Sequence, residues 1–256
     1  MHMEQLGSVA ISLEEARHGK EGRLADLAVF EQLLALLLAH DLPPEKFDLY
    51  DDPDSGKRNV PFDEEHFIRL LADSDAHALP VFFRRTAPAY EFSVGSLVRP
   101  RLSPFAVFSD SGPRSLEDLF RFADDLCALF QPVYGGLAFD WPGESEQVTA
   151  FNQMLRTRTV HKYGFESAAV RNYVGPEIRD RFDFRQLQDL GAHVVELPGN
   201  AVRIDLTQRP WDASFEVLYR QMQRINSSLA AQGLMGDYSR SLLKKPGPNW
   251  PAVSVS

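Results

Sequence analysis

Residues 49–65 of this sequence, LYDDPDSGKRNVPFDEE, hold six carboxylates and two cations. A carboxylate cluster is able to bind a metal ion, to act as an acid–base pair or to attract a basic partner. The spacing argues against calcium, because a loop that begins at Asp51 has Pro53 at the third ligand position and Phe62 at the twelfth. A loop that begins at Asp52 loses the required glycine. A docking surface and an ordinary solvated connection both remain open.

The best candidate for acid–base catalysis is His161 in TVHKYGFES, which is followed by Tyr163 and Glu166. A histidine near a tyrosine and a carboxylate is able to act as a general acid or base. The competing interpretation is an amphipathic histidine that serves only the fold, and we favour it because such combinations are common. His193 is a second histidine that an enzyme with a dispersed site would use.

Other motifs with a known chemistry are missing from the sequence. The histidines show no HExxH or His-x-His spacing, which leaves a local zinc site without support. There is no GxGxxG phosphate loop and no GxSxG nucleophile elbow. We therefore expect no catalytic residue, no metal and no cofactor.

The net charge of −9 is distributed unevenly along the chain. Residues 1–128 carry 23 acids and 13 bases, whereas residues 129–256 carry 13 acids and 14 bases. The excess of acid in the first half argues against direct binding of nucleic acid, because a phosphate backbone attracts Lys and Arg. The same excess suits a basic protein partner, although acidic surfaces also serve solubility.

Cysteine content and hydropathy indicate the compartment. Cys127 is the single cysteine, which excludes an internal disulfide and a multi-cysteine zinc site. Its neighbours in FADDLCALF are apolar at helical spacing, a pattern typical of a buried, unreactive thiol. No apolar run approaches the roughly 20 residues that span a bilayer, and the chain opens without a secretory signal pattern. We expect a cytoplasmic protein with no membrane contact.

Hydrophobic periodicity predicts an α+β fold with a mainly antiparallel sheet flanked by helices. We expect two α+β halves in one compact unit, a single domain over 1–256 with sub-lobes at 1–110 and 115–256. Predicted helices cover 22–40, 61–76, 115–132, 144–158 and 212–233. Predicted strands cover 8–14, 79–86, 89–98, 104–110 and 133–141, with a hairpin over 192–207.

Several local features are predicted in more detail. Ser115 and Asp118 form a capping box, and Asp212 is the N-cap of the last helix. The glycine pair in VYGGLAFDW predicts a β-bulge. The alternating charges of 171–186 are typical of an exposed, salt-bridged helix. In RIDLT, Asp205 alternates away from its apolar neighbours, which predicts a structural residue that faces solvent or pairs across the hairpin.

The second half of the sequence resembles the immunity protein 52 family. The similarity covers roughly residues 130–250 and includes RNYVGPEI, LGAHVVELPGNAVRIDLTQRPWD, GDYSR and the KPGPNW tail. It is carried by Tyr173, Gly175, Pro176, Asp205, Pro210, Trp211 and the Pro246-Gly247-Pro248 tail. These residues have the types that start helices, turn hairpins and anchor an indole ring, and none of them is a catalytic signature.

The resemblance implies a cytoplasmic antitoxin that protects a bacterium from a polymorphic toxin, including effectors of type VI secretion. The expected partner is a basic nuclease toxin, which residues 49–65, the acidic segment, would attract. Tyr50 and Phe62 would serve as aromatic anchors beside the charges. The predicted partner-binding residues are Tyr50, Asp51, Asp52, Asp54, Phe62, Asp63, Glu64 and Glu65. The alternatives are an enzyme that uses His161 and Glu166, and an adaptor that loads an effector.

Overall fold

The computed structural model describes residues 6–14, 23–49, 60–73, 81–95, 103–109, 115–143, 145, 147–148, 164–165 and 167–236. Within these ranges ten strands form one sheet, in the order β3-β2-β4-β5-β6-β1-β7-β8-β10-β9. The strands are β1 Ser8–Glu14, β2 Lys46–Leu49, β3 Val60–Pro61, β4 Val81–Thr86, β5 Ala89–Gly95, β6 Ser103–Phe108, β7 Tyr134–Asp140, β8 Arg171–Val174, β9 His193–Glu196 and β10 Val202–Asp205. Every neighbouring pair is antiparallel.

The described residues also form five α-helices, which together with the sheet confirm the predicted α+β class. The helices are α1 Arg23–Ala39, α2 Glu64–Asp73, α3 Leu116–Phe130, α4 Phe184–Asp189 and α5 Phe215–Ala231. None of them is long and apolar enough to cross a bilayer. The helix predicted over 144–158 lies largely outside the described residues.

Strand β1 occupies the middle of the sheet. It pairs with β6 on one side and with β7 on the other, so that Val9 faces both Phe108 and Phe139. The strands predicted over 79–86, 89–98 and 104–110 form an antiparallel meander of β4, β5 and β6, and β1 connects it to the strands that follow residue 115. The sheet therefore runs without a break across the predicted sub-lobe boundary, while the division of the chain into domains stays a prediction.

Helices α1, α2 and α3 cover one face of the sheet. Helix α1 buries Phe30, Leu33 and Leu37, whose three- and four-residue spacing places them on one side of the helix. Phe30 contacts Phe67 of α2 edge-on, with 6.0 Å between the ring centroids. Helix α3 packs against α1 and against strands β1 and β7. Because the three helices share this layer, the large aromatic core lies between it and the sheet.

The capping box predicted at the start of α3 is confirmed. The Ser115 side chain accepts a hydrogen bond from the Asp118 backbone N–H, and the Asp118 carboxylate accepts one from the Ser115 backbone N–H. This reciprocal pair satisfies two donors that the first helical turn leaves without an intrahelical partner.

Helices α4 and α5 lie on the second face, over the last strands of the sheet. Asn226 of α5 accepts a hydrogen bond from the Ala168 backbone N–H, just before β8. The predicted cap of α5 is wrong, because the side chain that accepts from the first turn belongs to Ser214. Asp212 instead lies in a short 3-10 turn and pairs with Arg209 at 2.8 Å. That turn separates Asp212 from the helix start.

The predicted glycine bulge in β7 is also wrong, because β7 pairs with β1 residue for residue from Tyr134 to Asp140. The structure gives the glycines a different role. A Cβ atom at Gly135 would lie 2.5 Å from Cδ2 of Leu13 on the neighbouring strand. Gly135 therefore leaves room for a core leucine within a regular ladder.

Candidate functional site

The acidic segment connects two strands at one edge of the sheet. Strands β2 and β3 pair antiparallel, with Phe47 opposite Val60, and the acidic segment joins them along the chain. Strand β3 is the last strand of the described sheet at that edge. Tyr50 and the predicted docking residues Asp51, Asp52 and Asp54 lie outside the described residues. Their role in partner binding stays a prediction.

The C-terminal part of the acidic segment, Phe62 to Glu65, has structural roles. The half-buried ring of Phe62 packs edge-on against Phe47 and Phe83, with centroid distances of 6.1 and 5.9 Å. Asp63 accepts a 2.7 Å hydrogen bond from the His66 backbone N–H and so caps α2. Glu64 and Glu65 are exposed in the first turn of α2, where they complement the partial positive charge of the helix N-terminus. A further contact between these two glutamates and a partner stays a prediction.

The histidine candidates are placed differently. His161, Tyr163 and Glu166 lie outside the described residues. His193 lies on the edge strand β9, and its Nδ1 atom is 3.8 Å from Oδ2 of Asp205, which exceeds hydrogen-bonding distance. The Asp205 carboxylate is already held by Arg171, as described next, so it does not orient the His193 ring as a catalytic carboxylate would.

The densest cluster of ionisable groups among the described residues lies between α3 and strands β8 and β10. Arg171, whose side chain is 2 % exposed, donates from Nε to Oδ1 of Asp205 at 2.6 Å and from Nη2 to Oδ2 at 3.0 Å. It also donates from Nη1 to Asp124 and to the Phe120 carbonyl oxygen, each at 3.0 Å. Its guanidinium lies 4.6 Å from the centre of the Phe120 ring. All sides of this buried cation therefore face a partner.

Two further residues complete the cluster. Arg203 donates from Nη1 to Oδ2 of Asp124 at 2.7 Å, and the Tyr173 hydroxyl donates to Oδ1 of Asp124 at 2.7 Å. Two arginines and two aspartates make the cluster neutral, and we call Arg171, Asp205, Asp124, Arg203 and Tyr173 the buried network. It ties α3 to the sheet, because Asp124 is on the helix and the other four residues are on β8 and β10.

Burial and charge shift the pKa values in the buried network. Burial by itself lowers the pKa of Arg171, but its hydrogen bonds to Asp205 and the nearby carboxylate charges raise that pKa overall. Burial also raises the pKa of the Tyr173 phenol well above its ordinary value, and the Asp124 carboxylate adds to the rise. Both groups therefore keep their protons at any physiological pH. Arg171 therefore stays a cation, and Tyr173 stays a hydrogen-bond donor to Asp124.

The buried network corrects two sequence predictions. Arg171 is not on an exposed helix, because it lies on the fully buried strand β8, and only Arg179–Arg181 and α4 within 171–186 are helical. Asp205 does alternate away from Ile204, but the face it points to is covered by α3 and does not meet solvent. An available signal was the apolar context of both residues, AVRNYV and VRIDL, which is typical of charges that are buried in pairs.

Cys127 is buried on α3, as predicted. Burial raises the pKa of its thiol to about 12, the Asp124 carboxylate contributes in the same direction, and Arg171 opposes it. Because the thiolate is the reactive form, the folded chain holds this cysteine in its unreactive state.

Native Cys127 is expected to react with a thiol reagent about 100-fold more slowly than the same cysteine in the unfolded chain. The folded pKa lies above the ordinary value of 9.0, so the unfolded chain loses this proton first. The contribution of Cys127 to stability should thus be complete below pH 9 and decline as the pH rises toward 12. Stopped-flow labelling with and without concentrated urea measures the rate ratio. Equal labelling rates in the two conditions would contradict the burial of Cys127.

No group of three His, Cys, Asp or Glu side chains within the described ranges has the geometry to hold a metal ion. The buried network shows why its carboxylates do not form one. Both oxygens of Asp205 and both oxygens of Asp124 accept hydrogen bonds from Arg or Tyr side chains.

The fold of this chain has structural neighbours among solved proteins. No family model matches the chain, and no curated protein matches it significantly. The predicted membership of the immunity protein 52 family therefore has no support from these comparisons. Among solved structures, the Pseudomonas aeruginosa T6SS protein PA0821 is similar, with a TM-score of 0.52 and 14% sequence identity. The match covers 96% of this chain and 80% of that chain, so it extends over nearly the whole fold.

Proposed function

We propose that this chain is an immunity protein: a cytoplasmic antitoxin that binds and neutralises a cognate secreted toxin. The toxin would be a nuclease effector of type VI secretion, inhibited by tight one-to-one association. The protein would act through its surface and without a catalytic centre. The observation that carries the proposal is the fold likeness, over 96% of the chain, to a protein described as a T6SS protein.

The charge distribution supports a basic partner. The first 128 residues carry ten more acids than bases, whereas the remaining residues carry one more base than acids. A nuclease needs cationic groups to hold phosphate, and an acidic surface attracts such a protein over a distance of about one Debye length. Electrostatic steering raises association rates by roughly 10- to 10³-fold. Rapid capture suits a protein that has to intercept a toxin inside the cell.

The buried network supports binding over catalysis. Its arginines and aspartates are paired with one another, and its tyrosine donates a hydrogen bond to Asp124. A catalytic centre ordinarily leaves a nucleophile or base free to reach a substrate. In the buried network the ionisable groups instead contact one another and stabilise the fold.

Co-expression with the protein encoded by the neighbouring open reading frame tests the proposal. We expect that the toxin alone stops growth, that co-expression restores it, and that the purified proteins form a stable one-to-one complex. Rescue without a complex would favour an enzyme that removes the toxin's product, and loss of rescue on His193→Ala or His161→Ala would then identify its base. A complex without inhibition would indicate an effector-loading adaptor. Failure of both rescue and binding would refute the proposal.

A further inference from the structure

The outward face of helix α1 is unusually apolar for a surface helix. Its exposed positions recur every three or four residues and so form one stripe along the helix. A surface helix normally presents charged side chains on this side. Among residues 27–39 of α1, whose side chains the structure describes, only one of the six exposed positions is charged, and Leu38 is 65 % exposed. The exposed positions are Ala28, Glu31, Gln32, Ala35, Leu38 and Ala39.

A cleft of about 600 Å³ lies at the C-terminal end of this stripe. Its walls come from three elements: the end of α1, the turn between β4 and β5, and the first turns of α3. They include Ala39, His40, Arg85, Pro88, Asp118 and Arg121. A volume of this size accepts several side chains of a partner loop.

Hydrogen bonds within the protein hold the walls of the cleft in place. His40 bonds from Nε2 to Oδ2 of Asp125 at 2.7 Å, and its ring packs edge-on against Phe122. Arg85 donates from Nη1 to the carbonyl oxygens of Asp41 and Pro43, each at 3.1 Å. Because these contacts are made without a partner, binding would require little additional ordering of side chains, and that lowers its entropic cost.

Helix α1 packs against both α2 and α3, and acids outnumber bases among the exposed side chains described on these three helices. The exposed acids are Glu31, Glu64, Glu65 and Asp125, and the exposed bases are Arg69 and Arg121. An apolar centre with a polar rim is the usual anatomy of a protein–protein interface. The excess of acids on this surface favours a basic partner over a second copy of the same face.

We propose that the outward face of α1 and the adjoining cleft, together the α1 face, are the surface on which the basic toxin binds. This inference rests on the proposed function and adds its contact surface. The toxin would place apolar side chains over Ala35 and Leu38, insert a loop into the cleft, and direct its cations toward the acidic residues of α2 and α3. The exposed leucine would thus be an energetic centre surrounded by charges that steer the approach.

Two substitutions test the α1 face, each with a matched control on α5, which lies on the other side of the sheet. Leu38→Asp adds a charge to the apolar stripe, and its control is Val217→Asp, at the other strongly exposed large hydrophobic among the described residues. Ala35→Arg adds bulk at the middle of the stripe, and its control is the exposed Ala230→Arg. All four positions lie on helix surfaces, so circular dichroism should show unchanged folding.

The measurement is surface plasmon resonance against the catalytically inactivated product of the neighbouring open reading frame. We expect Leu38→Asp and Ala35→Arg to weaken binding by on the order of 10- to 100-fold, mainly through faster dissociation, and each control to change it by less than about 2-fold. If the wild-type chain does not bind, the proposed function fails. If it binds and both α1 variants bind equally well, the toxin uses another surface. A wild-type dimer that Leu38→Asp dissociates would overturn the inference by giving the face to a second copy.

Discussion

Replacing Asp205 with alanine is expected to lower the free energy of unfolding by about 3–5 kcal/mol, because the change leaves Arg171 as a buried cation without its main partner. The Arg171 side chain is 2 % exposed, so water does not replace the lost carboxylate. Burial makes the pair costly to break, whichever partner is removed. Urea denaturation followed by circular dichroism measures the change, and the slope of the transition shows whether unfolding stays two-state.

Two further variants separate the free-energy cost of leaving one buried charge unpaired from the net contribution of the ion pair to the free energy of unfolding. Asp212→Ala removes an ion pair whose partners are 51 % and 64 % exposed, and it should cost less than about 1 kcal/mol. The double substitution Arg171→Met with Asp205→Leu removes both charges, and it should recover much of the stability that Asp205→Ala loses. If Asp205→Ala unfolds at the same urea concentration as Asp212→Ala, the buried network does not stabilise the fold.

Reversing Asp51, Asp52 and Asp54 to lysine is expected to slow association with the proposed toxin by roughly 10- to 10³-fold at low ionic strength. Each reversal changes the charge by two units in the half of the chain that carries the acidic excess. Rim charges act mainly on the approach of the partner, so the dissociation rate should change much less. Stopped-flow measurements over a series of salt concentrations should show the difference between wild type and variant shrinking as salt rises.

The control for this experiment reverses three exposed acids in the second half of the chain, Asp180, Asp189 and Glu216, and so alters the net charge equally. Equal slowing by the two triple variants would mean that overall charge, and not the acidic segment, guides the partner. An association rate unchanged at low salt would assign the acidic segment to an ordinary solvated connection.

The surroundings of Arg171 and Asp205 depend on tertiary contacts that the sequence pattern does not predict. Alternation along RIDLT correctly placed Asp205 on the opposite side of the strand from Ile204. Alternation does not reveal whether a helix covers that side, because the position of α3 over the sheet is a tertiary property. A charged residue on a covered face needs a partner from another strand. Arg171 and Asp205 are 34 residues apart, so no local sequence pattern indicates that they pair.

The sequence is more informative about structures, such as helix caps, that form between residues close together in the chain. The capping box of α3 was predictable because Ser115 and Asp118 are three residues apart and need no distant partner. The predicted cap of α5, Asp212, lies two residues before the observed cap, since both Asp212 and Ser214 suit that role and only the intervening turn distinguishes them. No sequence pattern predicts the α1 face, because the exposed alanines and Leu38 belong to the same apolar run as the core leucines.

The central position of β1 constrains how the protein is made. Strand β1 is translated before the other nine strands, but Val9 finds its neighbours only when Phe108 and Phe139 have emerged from the ribosome. At roughly 5–20 residues per second, the second neighbour appears several seconds or more after the strand itself. Throughout that interval at least one edge of β1 is open to wrong pairing, which makes the nascent chain a natural client for chaperones. A cell that depends on this protein is therefore better served by a standing pool of finished molecules than by synthesis on demand.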